Sequence, residues 1–208
     1  MPSWAILPPN ASEKTTTLIH TDFTSYSPDV SRQLSQHDAC IWAQGKSVLG
    51  MSEADYTKLT HDSPLAMAKA LREAGVGRDR NDGEPFRFVY VSGEHADAES
   101  SRMWARVKGT TEKDLAAFCD EVQGMKAHSI RPGFIPPSTK YPNDAANQRG
   151  WGEVLLSRVA QPIFSTFVPS LYIPVEELGK AAVGIAKGLW PDVDLFRNTK
   201  LREVAKQV

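Results

Sequence analysis

Short apolar runs alternate with longer amphipathic stretches along the first two thirds of this chain, a pattern typical of strands that alternate with helices. Four runs have the apolar or β-branched composition of strands: Thr15–His20, Asp38–Ala43, Phe86–Val91 and Lys126–Ile130. Three stretches between them have the periodicity or end signals of helices: Val30–Ser35, Glu53–Gly75 and Ser101–Glu121. Strands joined by helices in this way form parallel sheets with right-handed crossovers, so the pattern predicts a doubly wound α/β fold.

The composition changes after Pro136 and Pro137, where proline, asparagine and tryptophan interrupt the helical periodicity. Helices are predicted again at Trp151–Phe167 and Pro174–Gly188, followed by a loop and a final charged helix within 189–208. A chain of 208 residues, 41% of them hydrophobic, is long enough for one substantial core. We therefore expect a single domain, in which residues 1–135 form the sheet core and residues 136–208 form a mostly helical cap on the substrate side.

Charge and cysteine content argue against several classes of function. The formal net charge is -1 and the Lys and Arg residues do not cluster, so no nucleic-acid partner is expected. No apolar stretch reaches the length of a membrane span, so no membrane partner is expected either. Cys40 and Cys119 lie in apolar surroundings without a ligand pattern, and the 5 His residues are scattered. We therefore expect no disulfide, no metal site and a cytoplasmic location.

The strand predicted at Phe86–Val91 is followed directly by Ser92 and Gly93. A continuous apolar run is typical of a strand buried in a parallel sheet, and the carboxyl ends of such strands are where these folds bind ligands. The sequence therefore places Ser92 where chemistry usually occurs.

Five short segments carry a resemblance to a known family: Thr21–Phe23, Asp38–Gly45, Tyr90–Gly93, Val107–Gly109 with Glu112, and Arg131–Gly133. In order and spacing they resemble atypical short-chain dehydrogenases/reductases of the NAD(P)-binding, nucleoside-diphosphate-sugar-epimerase-like or NmrA-like type, found as fungal proteins. The resemblance implies a Rossmann-like sheet, NAD or NADP as the cofactor and a small-molecule substrate.

In that family a strand-end serine acts with a tyrosine, and with a lysine four residues later, to polarise a carbonyl and transfer a proton. The resemblance places Ser92 and Lys108 in two of these positions and Trp104 in that of the tyrosine, which makes these three the candidate catalytic residues. Because an indole N–H does not ionise near neutral pH, ordinary carbonyl reduction is not expected. The alternatives are that Ser92 caps the following loop, that Lys108 is a solvated helix residue and that Trp104 only packs.

The resemblance also implies a set of cofactor-binding residues: Asp22 and Phe23 against the adenine, Ala43, Gln44 and Gly45 along the cofactor channel, and Arg131, Pro132 and Gly133. Each part of this set has a structural alternative. Asp22 and Phe23 also suit a polar turn with an apolar plug, and Gly45 also suits an ordinary turn. For Arg131 we favour an ion pair with an acidic side chain.

The family begins with a strand and a glycine-rich turn that holds the pyrophosphate at a helix N-terminus, and no such glycine pattern precedes Asp22. We expect the first strand and helix of the family to be missing, with Ser3–Leu7 in the place of the second strand. The predicted fold is therefore a truncated Rossmann-like doubly wound parallel sheet with a mostly helical C-terminal cap. The missing turn argues against dinucleotide binding.

Two hypotheses of function follow. The first is an oxidoreductase-like protein, or a non-redox isomerase, that acts on a small organic metabolite in secondary metabolism. The second is a non-catalytic or cofactor-free homologue with a regulatory or interaction role, which forms a homodimer through an open sheet edge. We favour the first because the residues at the predicted strand ends are polar and small.

Overall fold

Four parallel strands form one sheet in the computed structural model of this chain, which describes residues 13–78, 83–138, 162 and 166–208. The strands are β1 (Ala39–Trp42), β2 (Phe86–Val91), β3 (Met125–Arg131) and β4 (Leu195–Arg197), and they lie in this order across the sheet. The helices are α1 (Pro28–Leu34), α2 (Glu53–Thr57), α3 (Ser63–Glu73), α4 (Met103–Glu121), α5 (Val175–Ala186) and α6 (Asn198–Val204). A π-helical segment occupies Lys58–Asp62, and a 3-10 turn occupies Pro169–Leu171. The parallel α/β sheet predicted from the sequence is confirmed.

The inner strand β2 separates two hydrophobic clusters. Phe86, Phe88 and Tyr90 point to one face of the sheet, where they pack with buried residues of α3 and α4. Val89 points to the other face, where it packs with buried residues of α5 and α6. Because successive side chains of a strand alternate between faces, a strand buried on both faces needs helices on both. The fold is therefore doubly wound around β2, and this fixes the position of the residues that follow its carboxyl end.

One predicted strand is absent and one observed strand was not predicted. Thr15–His20 forms no strand, and the Ile19 side chain is 80% exposed, so this β-branched run has no partner strand to bury it. The prediction of a strand there is wrong because composition alone does not supply a packing partner. The fourth strand is instead β4, which pairs with β3 over only three residues and buries only Phe196. So short a strand, with both flanking side chains exposed, has no detectable apolar run.

The C-terminal part of the chain confirms two further helices. Helix α5 lies within the stretch predicted at Pro174–Gly188, and α6 is the predicted final helix. The helix predicted at Trp151–Phe167 lies almost entirely outside the described residues, as does the strand proposed for Ser3–Leu7. None of the described helices combines the length and the hydropathy that crossing a membrane requires.

Pro64 explains the π-helical segment Lys58–Asp62. A proline has no backbone N–H, so the Thr60 carbonyl four residues earlier cannot receive its usual helical hydrogen bond. The Tyr90 hydroxyl of β2 donates to this carbonyl at 3.3 Å. The Thr111 hydroxyl of α4, which donates to the Val107 carbonyl at 2.7 Å, lies 3.4 Å from it. The irregular turn therefore connects the helix to both β2 and α4.

His61, in the same segment, lies between two carboxylates. Its Nδ1 is 2.8 Å from Asp62 Oδ1 and its Nε2 is 2.9 Å from Asp114 Oδ2 on α4. Burial by itself would lower the pKa of His61, but the hydrogen bonds and charges of Asp62 and Asp114 outweigh it and raise the pKa above its ordinary value. His61 is thus a charge-dependent link between the π-helical segment and α4.

We predict that this link weakens as the pH rises. A group whose pKa is higher in the folded than in the unfolded chain stabilises the fold fully below its unfolded pKa, and this contribution is lost as the pH rises through the folded pKa. Urea unfolding at pH 5.5 and pH 9 should show that His61→Gln costs more free energy of unfolding at the lower pH. An equal cost at both values would contradict the assignment.

Candidate functional site

The carboxyl ends of β1, β2 and β3 meet at one edge of the sheet, because all three strands are parallel. Gln44 follows β1 with the same alternation as the inward-facing Trp42, and Ser92 follows β2 with the same alternation as Tyr90. Both residues therefore belong to the face of the sheet that α3 and α4 cover. The candidate site lies at this edge, on the α4 side.

Ser92 is held at the end of β2 by its backbone and is buried by its surroundings. Its N–H donates to the Ile130 carbonyl at 2.8 Å, which extends the pairing of β2 with β3 by one residue. The residue is 4% exposed, and its Oγ is buried with no hydrogen-bond partner. A buried hydroxyl without a partner costs about 1–3 kcal/mol. The hydroxyl therefore does not cap the following loop.

Lys108 reaches the same strand end from α4. Its Nζ donates to the Ser92 carbonyl oxygen at 2.7 Å, and its side chain is half-buried. Burial lowers the pKa of Lys108 to about 8, and the negative charge of Glu112, one turn later on α4, acts in the opposite direction. Lys108 is therefore not the solvated surface lysine of the alternative interpretation. It is an amine of reduced basicity held at the end of β2.

Trp104 lies one turn before Lys108 on the same helix and is half-buried. Its indole offers one N–H donor and no titratable group near neutral pH. The nearest phenol on β2, that of Tyr90, donates to the Thr60 carbonyl and is buried in the core. Lys108 therefore combines a position at the strand end with a pKa near the physiological range. Ser92, Trp104 and Tyr90 do not.

A close backbone approach positions α4 against the loop that follows β2. A Cβ on Gly109 would lie 2.3 Å from the Ala98 nitrogen and 2.4 Å from the Asp97 carbonyl carbon. No side chain fits at that distance, so only glycine lets the helix approach the loop this closely. Gly109 follows Lys108 directly in α4. The close contact of Gly109 with the loop therefore helps to fix the position of the Lys108 amine.

The Arg131 guanidinium is held by an acidic side chain, which is the alternative that the sequence favoured. Its Nε donates to Glu112 Oε1 at 2.9 Å and to Glu112 Oε2 at 3.1 Å, with a further bond from Nη2. The Glu112 hydrogen bonds are the main cause that raises the pKa of Arg131. Because Nε and Nη2 of Arg131 already donate to one carboxylate, this side chain is a weak candidate for binding a phosphate group.

Pro132 and Gly133 belong to a network that ties the strand ends together. The Pro132 carbonyl accepts from the Glu94 N–H at 2.8 Å, and the Gly133 N–H donates to Asn198 Oδ1 at 2.7 Å. The Glu94 carboxylate in turn accepts from the Asn198 N–H at 3.1 Å and from Arg197 Nε at 2.8 Å. The segments that follow β2, β3 and β4 are therefore connected to one another by hydrogen bonds.

The first group of predicted cofactor residues lies on the β1 side of the sheet. Asp22 is exposed, and its carboxylate accepts from the Thr24 hydroxyl and N–H, which lower its pKa. The Phe23 ring packs edge-on against Trp42 at a centroid distance of 6.0 Å. This is the polar turn with an apolar plug that the sequence offered as an alternative, and Asp22 remains free to meet solvent or a ligand.

The second group follows β1 directly. Ala43 and Gly45 are exposed, and a Cβ on Gly45 would meet nothing within 4 Å. Gln44 Oε1 is buried without a hydrogen-bond partner, as is Ser92 Oγ. Two neighbouring strands therefore each end in a residue with an unsatisfied buried polar atom, and such atoms are candidates for ligand contact.

A cavity of about 680 Å³ is lined in part by α4. Its lining includes His95, Gly109, Glu112, Arg131 and Arg197, but neither Ser92 nor Lys108. His95 has a left-handed backbone with φ of 66°, which is uncommon for a residue with a side chain. Within this cavity Arg131 is paired with Glu112, and Arg197 is paired with Glu94.

Sequence reasoning missed Glu94 and Asn198 as organising residues of the site. The Asn198 side chain bonds to Gly133 N–H and to the carbonyls of Ser170 and Tyr172, and the residue is 1% exposed. A polar residue near the end of a short, unpredicted strand gives no signal in the sequence. Glu94 could have been noticed, because it directly follows the Ser92-Gly93 pair.

Comparison with solved structures defines the class of fold. The chain is similar to the UDP-Glc/GlcNAc 4-epimerase of Campylobacter jejuni, with a TM-score of 0.56 and 14% identity over 95% of this chain and 70% of that one. It is also similar to 3-oxoacyl-[acyl-carrier protein] reductase from Brucella melitensis in complex with NAD, with a TM-score of 0.55 and 12% identity over 88% and 77%. The protein therefore has a Rossmann-like fold, as these two solved structures do.

The chain is also similar in sequence to one curated protein. "Protein fmp52, mitochondrial" of Emericella nidulans is 32% identical over 124 residues, which are 59% of this chain and 47% of that protein. The chain thus matches about half the length of this relative. No model of a known protein family matches the chain. A cytoplasmic location stays a prediction, since the relative carries a mitochondrial name.

Two glycines in helices give a matched test of the close approach at Gly109. Gly179, in the middle of α5, is exposed, and a Cβ there would meet nothing within 4 Å. Gly179→Ala should therefore raise the free energy of unfolding by about 0.5–1 kcal/mol, the usual gain in a helix. Gly109→Ala should lower it by about 1–3 kcal/mol instead, because the clash with the Ala98 and Asp97 backbone exceeds that gain. Chemical denaturation of both variants distinguishes the two cases, and stabilisation by Gly109→Ala would contradict the close contact.

Proposed function

We propose that this chain binds NAD or NADP at the carboxyl edge of its sheet and acts as an oxidoreductase-like protein on a small organic metabolite. The observation that carries this proposal is the buried, unpartnered hydroxyl of Ser92, a residue whose backbone carbonyl accepts a hydrogen bond from the Lys108 amine. A hydroxyl and an ammonium group are suited to bind a substrate carbonyl and the hydroxyls of a ribose. The solved neighbours with this fold support a nicotinamide cofactor, since one of them is a reductase described in complex with NAD.

The residues of the site fit one end of such a cofactor better than the other. Ser92, Lys108 and the unsatisfied Gln44 amide oxygen lie at the two strand ends where a nicotinamide and its ribose would be held. For the pyrophosphate, no glycine-rich turn precedes Asp22, and the Arg131 fork is bound to Glu112. When bound, the dinucleotide would supply a hydride acceptor or donor. The chain itself would contribute orientation at Ser92 and hydrogen bonding from Lys108.

The site also limits the chemistry. Trp104 cannot deliver a proton, so a reaction that follows the tyrosine-dependent route of the resembled family is not proposed. A substrate carbonyl held by Ser92 would receive hydrogen bonds from the serine hydroxyl and from the Lys108 ammonium. We therefore propose an atypical site, whose reaction class is oxidoreduction or a non-redox isomerisation.

Isothermal titration with NADPH and, separately, with NADH tests this proposal. Binding with a Kd in the micromolar range, about -8 kcal/mol, is expected for at least one of them. Lys108→Ala should weaken binding by about tenfold to a hundredfold, because the lost hydrogen bond from a charged group is worth about 1.5–3 kcal/mol. The matched control is Lys113→Ala, which removes an exposed lysine from the same helix and should leave the Kd unchanged.

Absence of heat with both dinucleotides at millimolar concentration would contradict the proposal. Self-association in the same samples would then favour the alternative, a cofactor-free protein that pairs through β1. Among the described residues β1 pairs on one side only, with β2, and its Ile41 is 40% exposed. Unpaired strand edges of this kind favour pairing with a second chain.

A further inference from the structure

The cavity beside α4 contains a balanced set of charged side chains. Three basic and three acidic residues line it: Lys113, Arg131, Arg197, Asp97, Glu112 and Asp194. Four of these six are held in ion pairs: Arg131 with Glu112, Arg197 with Glu94, and Asp194 with Lys126. Within the part of the chain that the structure describes, the exposed Lys113 and Asp97 have no ion-pair partner. The cavity therefore offers one cation and one anion to a ligand.

The backbones of Asp97 and Lys113 lie about one helical turn apart along α4. A Cβ on Gly109 would lie 2.4 Å from the Asp97 carbonyl carbon, so the Asp97 backbone meets α4 at Gly109. Lys113 is four residues further along the helix, a rise of about 6 Å. Asp97 Oδ1 accepts the Glu99 N–H at 3.0 Å, which fixes the carboxylate, and no described residue donates to Oδ2. A negative and a positive side chain at this spacing complement the two charges of a small zwitterion.

Apolar surface lies between the charged groups of the cavity. Most of the other lining residues are small or apolar: Ala96, Ala98, Gly109, Ala116 and Leu195. Leu195 of β4 is 41% exposed, so an apolar ligand group that covers it is removed from water together with this side chain. The volume of about 680 Å³ is in the range of small-molecule sites. The cavity therefore suits a small ligand that has an apolar part as well as two opposite charges.

We propose that this cavity binds a free amino acid with an aliphatic side chain. The Lys113 ammonium group binds the carboxylate of the ligand, the Asp97 carboxylate binds its α-ammonium group, and the aliphatic side chain covers Leu195. This inference goes beyond the proposed function, because the cavity is lined by neither Ser92 nor Lys108 and needs no dinucleotide.

The backbone of His95 gives independent support for a ligand site here. His95 lines the cavity and has a left-handed backbone with φ of 66°. Hydrogen bonds on both sides hold it there, from the Glu94 N–H to the Pro132 carbonyl at 2.8 Å and from the Ala96 N–H to the Gly93 carbonyl at 3.1 Å. Non-glycine residues held in such conformations cluster at binding and active sites. The imidazole adds a hydrogen-bonding group to the cavity.

Titration of the 15N-labelled full chain with L-leucine at pH 7, without any dinucleotide, tests the inference. The amide signals of Ala98 and Gly109 should shift saturably, with a Kd in the millimolar range. Leucinamide lacks the carboxylate and N-acetylleucine lacks the ammonium group. Each should bind about threefold to fivefold more weakly than leucine, because each loses one exposed ion pair.

Two variants assign each charge of the ligand to one side chain. Lys113→Gln should weaken leucine binding and abolish the preference for leucine over leucinamide, while the preference over N-acetylleucine persists. Asp97→Asn should do the converse. The matched controls are Lys69→Gln on α3 and Asp120→Asn on α4, which change exposed charges outside the cavity lining and should leave the Kd of leucine unchanged.

Three results would overturn the proposal. The first is no shift of these signals with leucine at millimolar concentration. The second is equal binding of leucine and both analogues, which would show that the charges are not recognised. The third is an equal response to inorganic phosphate, which would show that the cavity takes an anion rather than a zwitterion. None of these results depends on whether NAD or NADP binds, so this inference and the proposed function fail separately.

Discussion

The hydrogen bond from Lys108 Nζ to the Ser92 carbonyl joins helix α4 to the end of the inner strand β2, and the candidate site depends on it. It can form because β2 is buried on both faces, which fixes Ser92, and because Gly109 lets α4 approach the loop after β2. The same burial that shapes this contact removes water from the amine and lowers its pKa. The packing of α4 against the end of β2 therefore determines both the position of the Lys108 amine and its pKa.

Much of the sheet could be predicted because β1, β2 and β3 are apolar runs bounded by turn residues. β4 could not be predicted, since three residues with one buried side chain leave no pattern. Thr15–His20 shows the converse, because a β-branched run that finds no partner strand stays exposed. The π-helical segment could be anticipated only as an irregularity at Pro64, because its geometry depends on acceptors and donors from β2 and α4.

The candidate site residues stay a prediction, but part of their arrangement is visible in the structure. The strand-end position pointed to Ser92 and the resemblance pointed to Lys108, and the structure brings Lys108 Nζ into contact with the Ser92 carbonyl. An ion pair at Arg131 was the favoured alternative, but its partner Glu112 was not predicted. The unpartnered oxygens of Ser92 and Gln44 and the supporting roles of Glu94 and Asn198 depend on three-dimensional neighbours, which no single sequence reveals.

The most direct test of this account is the titration of the Lys108 side chain. Proton–nitrogen NMR of the 15N-labelled chain between pH 6 and pH 11, with Lys108→Arg to assign the signal, reports its midpoint separately from those of the other lysines. The account predicts a midpoint near 8, because the amine of the half-buried Lys108 loses water where it contacts the Ser92 carbonyl. A midpoint near 10.5, the ordinary value for a lysine, would show that the amine is solvated and would contradict the central claim.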